Sequence, residues 1–140
     1  MVKLDTEKFP GMKVLMVDDT STNLNILGHI LNLSGLDVSV ALDMKKVPET
    51  ARMSKPDLIL LSVNVPGVDG YEICEKLKKD KSTKDIPIIL ISVMDQIDDI
   101  VKGFTAGCAD YITKPFQEKE VLARIGTQLS LRKINFENQE

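Results

Sequence analysis

The sequence predicts an α/β domain, a parallel sheet with helices on both faces. Three observations carry that prediction. Short apolar runs alternate with amphipathic stretches five times along the chain, the recurrence that strand–helix units produce. Leu58-Ile59-Leu60-Leu61 is apolar at every position, which suits a central strand covered on both sides. The 140 residues are 43% apolar and 28% charged, enough for one soluble domain with a real core.

Taken in order, Lys13-Val14-Leu15-Met16-Val17-Asp18 reads as a buried strand. Thr20 to Ser34 places Leu24, Leu27, Ile30, Leu31 and Leu33 at helical recurrence, and Gly35 closes the helix. Leu36 to Ala41 alternates with β-branched residues and forms the second strand. Asp43 to Met53 has helical character, but Pro48 has no amide hydrogen to give a helix interior. A short helix beginning near Pro48 is expected. Leu58 to Leu61 is the third strand. Asp69 caps a helix to about Lys79, with Ile73 and Leu77 inward. Pro87 to Ser92 is the fourth strand, Asp95 to Ala106 the fourth helix, Ala109 to Thr113 the fifth strand, and Gln117 opens the last helix.

Composition removes several function classes. A net charge of −3 argues against nonspecific binding to nucleic acid or anionic membranes. No apolar run is long enough to span a bilayer. Met1 to Gly11 is polar and contains acids, unlike a signal peptide, so a cytoplasmic protein is expected. Cys74 and Cys108 have no metal-type spacing and read as buried thiols in a reducing compartment. His29 reads as a surface helix residue.

In a doubly wound sheet the ligand site lies at the carboxyl ends of the strands. That rule selects Asp18-Asp19, Ser62, Ser92 and Lys114, far apart in the chain but brought together by such a fold. Each has a plainer reading. An acidic pair at a strand–helix junction often only caps the helix, Ser92 alone fills a strand end, and Tyr111 alone is a core aromatic.

Several motifs in order outweigh those readings. Val17-Asp18-Asp19, the block Asp57 to Ser62 with its turn Pro66-Gly67-Val68-Asp69-Gly70, Ser92, and Tyr111 with Lys114-Pro115-Phe116 together resemble the response-regulator receiver domain of two-component signalling. The resemblance covers residues 12 to 130. It implies a flavodoxin-like (βα)5 fold with strand order 2-1-3-4-5 and a cis Lys114–Pro115 bond. In a working receiver, it implies that Asp19 binds Mg2+ directly, Asp18 mainly through water, and Asn64 through its backbone carbonyl. Phosphoryl transfer to a carboxylate needs such a cation. Lys114 and Ser92 would contact phosphoryl oxygens, and the movement of Ser92 would let Tyr111 turn inward. Partners, a histidine kinase or an output domain, would read the face of helix 4, strand 5 and helix 5, with pairing of two copies as a further expectation.

Ser62 is the departure. It stands where the family would carry its phosphoacceptor aspartate. A serine hydroxyl is a poor nucleophile without a base, so no ordinary phosphotransfer is expected. Acids about 5 Å apart at an effective dielectric of about 20 repel by roughly 3 kcal/mol per pair. Losing one relieves the fold and weakens the magnesium site. Lys114 is then expected to turn to Asp18, Asp19 or Ser62. Val93, where the family usually has a small residue, is expected to narrow access to position 62.

The expected function is a receiver acting as a phosphorylation-independent interaction or dimerisation module, without enzymatic activity. One alternative is an ordinary receiver with an engineered Asp-to-Ser change at 62. A third class, a flavin-binding flavodoxin-type protein, suffers from acids where a phosphate loop should be. The expected division is an extension over 1–11, the receiver over 12–130, and a helical tail or linker over 131–140. Leu122, Leu129 and Phe136 recur every seven residues with Ile125 between the first two. That pattern fits either a helix running toward a coiled coil or an ordinary last helix, and Arg132 weakens the first reading.

Overall fold

In the computed structural model of the chain, residues 11–17, 21–41, 43–63 and 67–138 are described, with the backbone alone at 21–26 and 136–138. The elements are β1 (Lys13–Val17), α1 (Ser21–Leu33), β2 (Asp37–Ala41), a 3-10 turn (Met44–Lys46), α2 (Val47–Ser54), β3 (Leu58–Ser62), α3 (Gly70–Lys79), β4 (Ile88–Ser92), α4 (Ile97–Thr105), β5 (Asp110–Thr113) and α5 (Glu118–Asn138). The five strands pair in parallel in the order β2-β1-β3-β4-β5, the predicted architecture.

The apolar run Leu58–Leu61 of the third strand explains the layering. Successive side chains of a strand point to opposite faces. Ile59 and Leu61 join Leu15, Val17, Ile88 and Leu90 against α2 and α3. Leu58 and Leu60 join Val14, Met16, Ile89 and Ile91 against α1 and α5. Every residue of β3 and β4 is buried, so truncating one of these leucines or isoleucines to alanine costs about 2–5 kcal/mol.

Local signals set the helix ends. The Asp69 carboxylate accepts the Tyr71 amide at 3.0 Å and starts α3. Pro48 sits in the first turn of α2, where its missing donor costs nothing. Gly35, at φ +84°, ends α1. α4 begins at Ile97 because Gln96 is still extended (φ −72°, ψ 149°).

The structure settles two points that the periodicity left open. Leu33 is exposed, not inward; Leu27 and Leu31 are the buried pair. The heptad of α5 is not a coiled-coil seam, for Leu122, Ile125 and Leu129 are buried with Val121 in the domain's own core. They recur because one helical stripe covers the sheet. The Phe136 side chain lies outside the described residues. α5 nevertheless runs on to Asn138. Arg132 anchors this stretch: its Nη1 donates to the Asp85 carbonyl at 3.1 Å, and its Nε lies 3.7 Å from Asp57 Oδ1.

Candidate functional site at the carboxyl end of the sheet

The sheet topology brings three predicted positions to one edge. Ser62 ends β3, Ser92 ends β4, and Lys114 directly follows β5. Adjacent registers pair Ser62 with Ile91 and Ser92 with Thr113, and the Lys114 amide donates to the Ser92 carbonyl at 2.7 Å. The Lys114–Pro115 bond is cis. Asp18, Asp19 and Asn64, expected to hold magnesium, lie outside the described residues. Among the described residues no group of three or more His, Cys, Asp or Glu side chains converges on a metal position.

Ser62 is 2% exposed, and its hydroxyl has no hydrogen-bond partner among the described residues. The expected turn of Lys114 toward the Ser62 hydroxyl is therefore not made. Position 62 is packed from behind: a Cβ on Gly70 would lie 2.7 Å from the Val63 Cα and 3.0 Å from the Ser62 carbonyl. Glycine alone lets α3 start this close to the strand end.

Ser92 is fully buried, and its Oγ accepts the Met94 amide at 2.9 Å. The hydroxyl is thereby tied to its own β4–α4 loop. Val93 is 59% exposed and lines a cavity of about 490 Å3 with Leu27, Ile30, Lys114 and Phe116; Ser62 is not part of that lining.

Tyr111 is turned inward. Its ring is buried, and its hydroxyl donates to the Met94 carbonyl at 2.8 Å. The same hydroxyl lies 3.2 Å from the Tyr71 hydroxyl, and Tyr71 donates to the Asp99 carbonyl, also at 3.2 Å. Proton accounting orders this network. A phenol has one proton; that of Tyr111 goes to Met94, so Tyr111 accepts from Tyr71. Tyr71 shares its single proton between Tyr111 and Asp99, which explains two long bonds. Burial, then the Tyr111 contact, pushes the Tyr71 hydroxyl well above the usual phenol range. Lys102 Nζ stands 4.6 Å over the Tyr71 ring, a cation–π contact. A Cβ on Gly103 would lie 2.8 Å from the Tyr111 ring, so that glycine makes room for the inward position.

Sequence reasoning selected Ser92, Tyr111 and Lys114 and missed Tyr71 and Gly103. A signal for Tyr71 existed: it follows the Asp69-Gly70 start of α3, and it and Tyr111 are the chain's two tyrosines.

Comparison with known proteins places this arrangement. Residues 14–126 match the family described as response regulator receiver domain. The chain belongs to that family. Receiver domains are signalling modules of two-component systems, and the flavin-binding alternative gives way to this assignment. Among curated relatives, the DNA-binding dual master transcriptional regulator RpaA of Synechocystis sp. is 38% identical over 81% of this chain and 47% of its own length. The alkaline phosphatase synthesis transcriptional regulatory protein PhoP of Bacillus subtilis is 40% identical over 81% of this chain and 46% of its own. The chain thus spans about half the length of these relatives. The activated N-terminal receiver domain of RstA from Klebsiella pneumoniae is 29% identical, covering 84% of this chain and 97% of that one, with a TM-score of 0.74. A CheY-like receiver from Methanospirillum hungatei, 23% identical over 89% of this chain and 98% of that one, shares the fold with a TM-score of 0.82. No helix among the described residues is long and apolar enough to cross a membrane.

Proposed function

We propose that this chain is a receiver without a phosphoacceptor, working as a phosphorylation-independent interaction module, with Ser62 at the position where the family carries its aspartate. The observation that carries this reading is the state of the Ser62 hydroxyl, buried and without a hydrogen-bond partner among the described residues. A serine becomes a nucleophile when a base takes its proton, and no base among the described residues hydrogen-bonds this one. Its neutral oxygen is a poor ligand for Mg2+, which favours charged oxygens. Ser92 Oγ already accepts a backbone amide. Any magnesium held by Asp18, Asp19 and the Asn64 carbonyl is therefore bound weakly.

Tyr111 supports the same reading. The family resemblance links its inward position to a bound phosphoryl group, yet here the ring is inward beside a serine. The face of α4, β5 and α5 is then presented without phosphorylation, to a histidine kinase, an output domain or a second copy. The module comprises residues 12–130 and acts in the cytoplasm, without enzymatic activity of its own.

A second reading rests on Ser92, Tyr111 and Lys114, which keep their places at the strand ends: an ordinary receiver whose aspartate was replaced at position 62. Intact mass after incubation with magnesium and a small acyl-phosphate donor tests the first. The mass is expected to stay unchanged, and an added phosphate on any residue overturns it. Ser62→Asp then separates the two. Continued inertness supports a dedicated binding module, whereas ready phosphorylation favours the second reading.

A further inference from the structure

The cavity between α1 and the segment after β5 has one wall group that the fold leaves unexplained. Leu27 and Ile30 line it from α1, Val93 from the β4–α4 loop and Phe116 from the segment after β5, while Lys114 and Glu118 supply its charges. Its volume, about 490 Å3, lies within the range of roughly 300–1,000 Å3 typical of small-molecule sites, which are mostly apolar with a few polar groups. Glu118 is the anomaly. Its Oε1 is buried and has no hydrogen-bond partner among the described residues. A buried acceptor without a donor costs about 1–3 kcal/mol, more for a charged group, and folded proteins carry few of them. This one borders a space large enough to hold the missing donor.

We propose that the cavity is a binding site for a neutral aromatic molecule of about the size of indole that carries an N–H or O–H donor, with Glu118 as its hydrogen-bond acceptor. The wall chemistry selects each part of that description. The aliphatic side chains of Leu27, Ile30 and Val93 ask for an apolar body. Phe116 offers a ring to pack against another ring, and the Lys114 ammonium favours the face of an aromatic system. A cationic ligand would set a second positive charge beside Lys114; a neutral donor satisfies Glu118 without that repulsion. The site goes beyond the function proposed above, because it concerns the space between α1 and α5 and not the chemistry at position 62.

The test uses the whole chain with indole and with N-methylindole, which has the same rings and no donor. Binding is read by NMR titration. Indole is expected to shift the signals of Val93, Phe116 and Glu118. It should bind about tenfold more tightly than N-methylindole, the difference that a hydrogen bond to a charged group makes. Glu118→Leu removes the acceptor and should bring the two ligands to equal affinity. Glu118→Gln keeps a carbonyl acceptor and should retain the preference for indole, with both variants folded by circular dichroism. Equal binding of the two ligands to the unaltered chain, shifts confined to other parts of the domain, or a preference that survives Glu118→Leu overturns the proposal. So does failure of indole to bind, which would leave the Glu118 oxygen to water. Phosphate uptake by the chain would remove the proposed function and leave this site standing, whereas loss of this site leaves that function standing.

Discussion

Tyr71→Phe removes one oxygen from the network that holds Tyr111 inward and leaves the packing intact. The lost hydroxyl makes two contacts, both at 3.2 Å, but one proton serves both. The loss is close to that of a single neutral hydrogen bond, about 0.5–1.5 kcal/mol. Phenylalanine keeps the ring beneath Lys102 and so retains the cation–π contact. Tyr111 keeps its shorter bond to the Met94 carbonyl, 2.8 Å. The expected result is a stability loss of about 1 kcal/mol by urea unfolding and at most about a fivefold fall in the inward-to-outward ratio of Tyr111. The chain has no tryptophan and only two tyrosines, so the aromatic near-ultraviolet dichroism of Tyr71→Phe reports Tyr111 without interference from either. A variant with wild-type stability refutes the role given to the Tyr71 hydroxyl. A variant whose tyrosine signal vanishes refutes the weight given to the Met94 bond.

Three further outcomes follow from the same contacts. Gly103→Ala gains helix propensity of about 1 kcal/mol but drives a methyl to 2.8 Å from the Tyr111 ring; overpacking of about 1–3 kcal/mol should win, lowering the urea midpoint and turning Tyr111 outward in NMR spectra. Arg132→Ala removes the bond to the Asp85 carbonyl and the ion pair with Asp57, and should cost about 1–3 kcal/mol with faster amide exchange beyond Leu129. Burial pushes the Cys74 thiol up to about 11 and, with Cys74 and Asp110 nearby, the Cys108 thiol up to about 12. Both folded values are raised above the unfolded one, so this contribution is complete below the unfolded thiol pKa and is lost as pH rises through the folded values. Urea midpoints should fall across that range, and at about pH 8 a thiol reagent should react only as the chain unfolds.

The fold was legible because β3 and β4 are apolar up to their terminal serines and the helices before and after β3 start at expected places, α2 with Pro48 in its first turn and α3 capped by Asp69. Element types follow from such short-range chemistry. What escaped was whatever depends on which side of a helix meets the sheet. Leu33 and the α5 heptad are both periodic, and period alone does not say whether a stripe meets the domain's own sheet or something outside it. The site was read through strand ends, which topology gathers. Tyr71 was missed because it enters from α3, and its link to Tyr111 spans 40 residues of chain that no local pattern connects.

Asp110 joins the two faces of the sheet. The tyrosine network lies with α3 and α4 on one side, while α5 packs on the other. Asp110 Oδ1 accepts the Tyr111 amide at 2.8 Å, and Arg124 Nη1 on α5 reaches both carboxylate oxygens at 2.9 Å. α4 touches the switch residue directly, but α5 is linked to it here through an ion pair whose arginine is 42% exposed. Such a link loosens as salt rises. The two helices of the signalling face therefore answer to different conditions: one to the packing of a ring, the other to the ionic strength around the domain.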